Sequence, residues 1–388
     1  MHLALAVLLS AAAAAADTDL PDSQAPRAEK ASYHGIDWLA IPLLSFDADD
    51  LIGFGVGGNL QWQGDVRPYR HQLMFQLFWS TALVQRHIAA YDSPQFLGTP
   101  LRFWARVEYR AESLMPYYGL GNFSSASVAD HPELDPEHAF VYERRVASAR
   151  TGCSFPIAAP VYAFSFLTVK SARVATYDDS LLNAERPRGI EGGTDFQGDV
   201  GLYIDRRDSE ATPTRGWRLE LSARGIGPLS SHGFWGANGY ETHFVPLADG
   251  LVLGSRLEVD YLSEKAPFYE LASFGGITPI EGVGGQYSAR GIPKTRYIGR
   301  LKALENIELR SRVFDLVLMK EKISFGTAAF VDLGRVWQLD GHDGSPWSIH
   351  FGWGGGVRAW LRSFVVRADV GFSPERAFSF YALFGHFF

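Results

Sequence analysis

From Leu251 to Tyr261 the chain reads LVLGSRLEVDY. Successive side chains of an extended strand point to opposite faces, so Leu251, Leu253, Leu257, Val259 and Tyr261 share one face and Arg256, Glu258 and Asp260 the other. In a soluble sheet the apolar face would be core and the charged face would meet water. The same grammar returns at 51–63, where Ile52, Phe54, Val56, Leu60 and Trp62 oppose Gly53, Gly55, Gly57, Asn59, Gln61 and Gln63, and at 363–372, where Phe364, Val366, Ala368, Val370 and Phe372 oppose Arg367 and Asp369. Each run has about ten residues, the length that crosses a bilayer when tilted. Apolar outside and charged inside is the pattern of a transmembrane β-barrel.

The start of the chain, MHLALAVLLSAAAAAAD, is an apolar run followed by small residues suited to cleavage near Ala16. No other stretch approaches the 18 or more apolar residues a membrane helix needs. The expected organisation is therefore a signal peptide at 1–16, a short periplasmic linker at 17–34 and an outer-membrane barrel at 35–388. Cys153 is the only cysteine, which excludes an internal disulfide, a cysteine metal cluster and a lipid anchor after the apolar run. A net charge of -7 with no basic tract argues against nucleic-acid binding. Aromatics at 14% and 40 glycines suit strands and turns better than helices.

Alternating segments are read near 36–46, 51–64, 70–82, 84–93, 101–112, 138–154, 160–175, 195–206, 216–227, 235–247, 249–263, 300–313, 322–335, 347–361, 363–373 and 376–388. That makes sixteen antiparallel strands, an even number as a closed bacterial barrel requires. Long connections at 113–137, 176–194, 264–299 and 336–346 alternate with short ones, placing the long ones outside and the short ones in the periplasm. The exception is RDSEATPTRG at 206–215, long on the short side. The last strand places Phe378, Phe380, Phe384 and Phe388 on one face and ends on an aromatic, in the manner of an outer-membrane assembly signal.

An ordered series of motifs completes the pattern: MPYYGLGN at 115–122, YIDRRDSEATPTRGW at 203–217, PFYELASFGG at 267–276, ARGI at 289–292, NIELR at 306–310 and FVDLGRVW at 330–337. In this order they resemble the bacterial surface antigen superfamily, whose barrels are of the BamA and TamA type. The resemblance covers most of 35–388. It implies that the 36-residue sixth outer loop, 264–299, folds into the lumen and is locked there by Arg290, beside Gly291, on the inward carboxylates Glu308 and Asp332. A guanidinium with five donors can serve two carboxylates. Two features depart from the family. Ile292 stands where an aromatic is usual, and about 18 residues before the first strand leave no room for the family's periplasmic POTRA domains, so the chain reads as a barrel-only member.

Asp205, Arg206, Arg207, Asp208 and Arg215 crowd the 206–215 turn, which reads as a solvated, self-neutralising turn or as a docking surface. DHPELDPEH at 130–138 reads as a flexible acidic loop, and FDADD at 46–50 as a hairpin turn. Gly53, Gly55 and Gly58 have dinucleotide-loop spacing, but no helix follows. No Gly-x-Ser-x-Gly elbow or His-Glu-x-x-His helix is present, so no enzyme, metal centre or cofactor is expected. The resemblance implies a barrel that assists insertion or translocation of proteins at the outer membrane. Its first and last strands would form a weak lateral seam marked by Pro42, which lacks a ladder donor, and by Phe388. The implied partners are outer-membrane lipids, unfolded protein clients and a separately encoded periplasmic protein. A passive pore or lipid conduit is the alternative.

Overall fold

The computed structural model describes residues 35–65, 69–210, 212–318, 321–361, 364–384 and 387–388. The segments 1–16 and 17–34, expected as signal peptide and linker, lie outside the described residues. Sixteen antiparallel strands close into a barrel in which each pairs with its sequence neighbours and the first pairs with the last. They are β1 (Ile36–Asp47), β2 (Leu51–Trp62), β3 (His71–Ser80), β4 (Val84–Ser93), β5 (Arg102–Pro116), β6 (Val141–Ala158), β7 (Val161–Thr176), β8 (Gly193–Asp205), β9 (Gly216–Ile226), β10 (Trp235–Ala248), β11 (Leu251–Leu262), β12 (Leu301–Leu318), β13 (Glu321–Trp337), β14 (His350–Leu361), β15 (Phe364–Phe372) and β16 (Ser379–Phe384).

Strand alternation sorts the side chains as the sequence requires. Phe54, Leu202 and Val357 are about half exposed on the outer surface, where lipid tails take the place of a protein core, while Arg256, Glu258 and Asp260 are buried in the lumen. The Asp47–Asp50 stretch turns β1 into β2, with Asp47 Oδ1 accepting the backbone N–H of Asp49 at 2.6 Å and of Asp50 at 3.2 Å. This is the Asx geometry that acidic turn residues favour.

Outer loops pack on one another over one mouth of the barrel. Tyr117, Tyr142, Leu181, Leu182, Phe234, Phe268 and Ile298 form a buried apolar cluster there. Two short helices, α1 (Leu181–Glu185) and α2 (Phe268–Leu271), contribute to it. A second cluster, Phe274, Val283, Ala289, Ile292, Tyr297, Leu304 and Val336, lies where the sixth loop meets the β12–β13 wall.

The ladder is uneven around the barrel. β1 pairs with β2 at twelve positions, whereas two pairs join it to β16 among the described residues, Phe46 with Ala382 and Asp47 with Tyr381. The last strand was expected over 376–388 but ends at Phe384. Beyond it Phe387 and Phe388 lie inside the barrel, because lumenal arginines offer them aromatic stacking and backbone hydrogen bonds that the wall does not.

Candidate functional site

The sixth outer loop, residues 263–300 between β11 and β12, descends into the lumen, and Arg290 sits fully buried at its tip. Its guanidinium grips Asp332 of β13 as a fork, Nε at 2.8 Å and Nη2 at 3.0 Å, and its backbone N–H donates to the same carboxylate at 2.9 Å. Nη1 donates to Glu308 of β12 at 2.7 Å and reaches Asp369 of β15 at 3.5 Å. The two faces of the guanidinium are covered by Phe330, 3.4 Å from the ring centroid, and Phe387, 3.7 Å from it. Burial alone would make Arg290 easier to deprotonate, but Asp332 and Glu308 outweigh it and hold the group well above its ordinary pKa.

The backbone around Arg290 needs glycine at two places. Gly291 has φ +91°, and a Cβ there would lie 2.6 Å from the carbonyl oxygen of Phe372. Instead its N–H donates to Tyr381 Oη at 3.1 Å and its carbonyl accepts from Ser373 Oγ at 3.0 Å. Gly352, facing inward on β14, leaves room for the loop: its Cβ would stand 1.9 Å from the Arg290 carbonyl oxygen. Ile292, in place of the usual aromatic, is completely buried in the second apolar cluster.

A further anchor lies four residues on. Lys294 Nζ donates to Asp50 in the β1–β2 turn at 2.9 Å and to Glu112 of β5 at 3.0 Å, and Glu112 also binds Arg110 and Arg144. Burial opposes the charge of Lys294, but Asp50, Glu281 and Glu112 together raise its pKa. The loop is thus held on both sides of the barrel, to β12–β15 through Arg290 and to β1 and β5 through Lys294.

The structure therefore brings Arg290, Gly291, Glu308 and Asp332 together. In the 206–215 turn, Arg207 pairs with Asp205 at 2.7 Å, and Asp208 accepts the backbone N–H groups of Thr214 and Arg215. The side chains of Arg206 and Arg215 remain exposed. Pro42 lies on the lipid face of β1, opposite Val56. Phe388, expected beside it on the seam, is instead within the lumen against Phe244, with Arg310 4.8 Å and Arg256 5.5 Å from its ring centroid. Near 130–138, His138 stacks on Tyr177 and contacts Asp135 at 3.0 Å.

Sequence reasoning missed Asp369, Arg358, Phe330, Phe387 and Lys294. Asp369 was readable as an inward charge on β15, but nothing in its own strand tied it to a loop some eighty residues earlier. Arg358 binds both Glu308, at 3.1 Å, and Asp369, so the carboxylates around Arg290 belong to one ionic network.

A model of the Omp85 superfamily domain matches residues 89–388. The chain belongs to the Omp85 superfamily. This Omp85 chain is 24% identical over 252 residues to the outer membrane protein assembly factor BamA of Neisseria meningitidis serogroup B, a match that takes in 59% of this chain and 31% of that protein. It thus spans about a third of the length of that curated relative. Among solved structures, BamA from Haemophilus ducreyi lacking POTRA domains 1-3 superimposes with a TM-score of 0.57 at 14% identity, over 92% of this chain and 70% of that one. CdiB from Escherichia coli gives 0.56 at 13% identity, over 95% and 67%. At such identities the likeness is one of fold. The Omp85 barrel described here is an outer-membrane protein of a Gram-negative-type cell, and the motif-based assignment to BamA-type barrels agrees with the family match.

Proposed function

We propose that this Omp85 barrel assists insertion or translocation of proteins at the outer membrane, and that the junction of β1 and β16 is the seam at which a client strand engages. The observation that carries the reading is the two-pair junction beside a twelve-pair neighbour. Its polarity follows from the register. Gln63 donates to Gly35 across the β1–β2 ladder at 2.9 Å, and hydrogen-bonded pairs alternate in an antiparallel ladder. Even-numbered residues of β1 therefore direct their backbone groups away from β2, toward β16. Pro42 is one of them, so the donor it lacks is missing from the seam edge. A weakly paired edge offers backbone groups to an incoming strand, the addition mode by which strands recognise strands.

The clients of such a seam would be unfolded outer-membrane proteins, with outer-membrane lipids and a periplasmic protein as further partners; Arg206 and Arg215 are the charges that the 206–215 turn leaves available to the latter. Depletion of the protein followed by quantitation of outer-membrane proteins and lipopolysaccharide tests the reading. Unchanged levels of every client would refute it. A passive pore is disfavoured by the packed outer loops and by Gly352, whose missing side chain accommodates the sixth loop rather than widening a channel. Steady conductance in planar bilayers would reverse that preference.

A further inference from the structure

On the outer surface of the barrel, Arg145 of β6 and Arg173 of β7 stand directly opposite one another. Strand alternation turns both toward lipid: Arg144 points into the lumen onto Glu112, and Ala172 is buried in the outer-loop cluster. Both arginine side chains are exposed, that of Arg145 by 59%. We propose that this pair binds the phosphate of a phosphorylated glycolipid in the outer leaflet, at a site away from the β1–β16 seam and independent of the Arg290 lock. Like charges directly opposite across two strands, with Cβ atoms about 5 Å apart, destabilise the wall. The protein itself offsets them only in part. Glu143, on the same face of β6, approaches Arg145 at 3.6 Å, too far for a hydrogen bond, and leaves the group with a net positive charge. Arg173 makes no ion pair or hydrogen bond among the described residues.

The height of the pair is that of a headgroup. Tyr142, at the same end of β6, belongs to the outer-loop cluster, and Phe155 is exposed on the lipid face near the periplasmic end. From Phe155 to Arg145 the strand rises about 24 Å along the membrane normal, at about 3.4 Å per residue and a tilt of about 45°. An apolar band is about 25 Å tall, so Arg145 and Arg173 emerge at its outer rim. Below them Ala147 and Ala149 continue the lipid face of β6 as a floor of small side chains. Tyr109 and Val107 stand opposite these alanines on β5, while Val169 faces Ala149 from β7 with Leu167 below it, and all four are exposed. They make two ridges about 9.5 Å apart with a groove between them that runs from the arginines down into the apolar band. An acyl chain hanging from a headgroup takes that course. Two guanidinium forks converging on one phosphate turn the repulsion between them into shared attraction. A free phosphate would use the arginines and none of the groove, so the occupant is a lipid, and in the outer leaflet the phosphate is carried on a glycolipid.

Native mass spectrometry of the full chain in detergent micelles tests the site, with lipid A as the probe and dephosphorylated lipid A and inorganic phosphate as comparisons. A single saturable adduct with lipid A is expected, about tenfold weaker in Arg145→Gln and in Arg173→Gln, the loss of a hydrogen bond to a charged group. Glu143→Gln should tighten it, because a competing negative charge is removed. Both arginine variants should keep wild-type heat-modifiable migration, since glutamine relieves the repulsion and breaks no lumenal contact, so weaker binding cannot be loss of fold. No saturable adduct, equal affinity for dephosphorylated lipid A, or unchanged affinity in both arginine variants would overturn the proposal. Complete displacement by equimolar inorganic phosphate would overturn the assignment to a lipid. These outcomes are read on the purified chain and stand whatever depletion shows about protein insertion.

Discussion

Replacing Arg290 with Ala should loosen the sixth loop, and the structure says where the cost falls. Glu308 would keep Arg310 at 2.8 Å and Arg358 at 3.1 Å, and Asp369 would keep Arg367 at 2.9 Å together with Arg358. Asp332, fully buried, would keep the amide of Asn306 at 2.8 Å and the backbone N–H of residue 290 at 2.9 Å, with no cation in ion-pair distance among the described residues. One buried carboxylate left without its cation costs about 3–5 kcal/mol. Because that cost is concentrated on Asp332, Asp332→Asn should restore much of the loss when combined with Arg290→Ala. Arg290→Lys should rescue poorly, since an ammonium cannot fork onto Asp332 and also reach Glu308. Heat-modifiable migration in gels reports barrel stability, and proteolysis of whole cells reports the loop. Wild-type behaviour of Arg290→Ala in both assays would refute the idea that this contact holds the loop.

Gly352→Val should expel the loop tip without breaking an ion pair, because its side chain would occupy the place of the Arg290 carbonyl; limited proteolysis within 263–300 while the barrel remains heat-modifiable is the expected result. Lys294→Met should cost less than Arg290→Ala, about 1–3 kcal/mol, since Glu112 retains Arg110 and Arg144, and the same gel assay ranks the two. The double variant Phe46→Cys, Ala382→Cys places cysteines at a paired position of the seam, at a separation suited to a disulfide. Oxidation should then lower outer-membrane protein levels reversibly, and a normal profile with the disulfide formed would remove seam opening from the mechanism. Burial raises the pKa values of Glu281 and Glu375, but Arg110 and Lys294 for the first, and hydrogen bonds from His350 and Tyr297 for the second, outweigh it and leave both below the usual value. Their stabilisation is present above about pH 4.3 and lost as pH falls through the lower folded-state values, so the loops should resist protease from pH 7 to 5 and become susceptible to pepsin only in stronger acid.

What was legible in the sequence was whatever repeats locally. Alternation in a strand assigns Arg256, Glu258 and Asp260 to one face whatever the neighbouring strand may be, and sixteen such runs with no membrane helix leave a closed barrel as the way to satisfy every backbone group in lipid. The lock at Arg290 was legible only through the resemblance carried by ARGI, NIELR and FVDLGRVW, because no spacing rule brings residue 290 to residues 308 and 332. Tertiary structure alone decided the rest. Asp369 reaches Arg290 because β15 stands in the wall one strand beyond β14 from β13, and Phe387 because the residues after β16 lie in the lumen, a placement in the ring that no single strand encodes. Phe388 left the seam for the lumen because its surroundings there are set by Phe244, Arg256 and Arg310, on strands more than seventy residues away in the chain. Local alternation fixes the face on which a side chain lies, whereas its partner across a lumen depends on how far every strand between them has turned the wall.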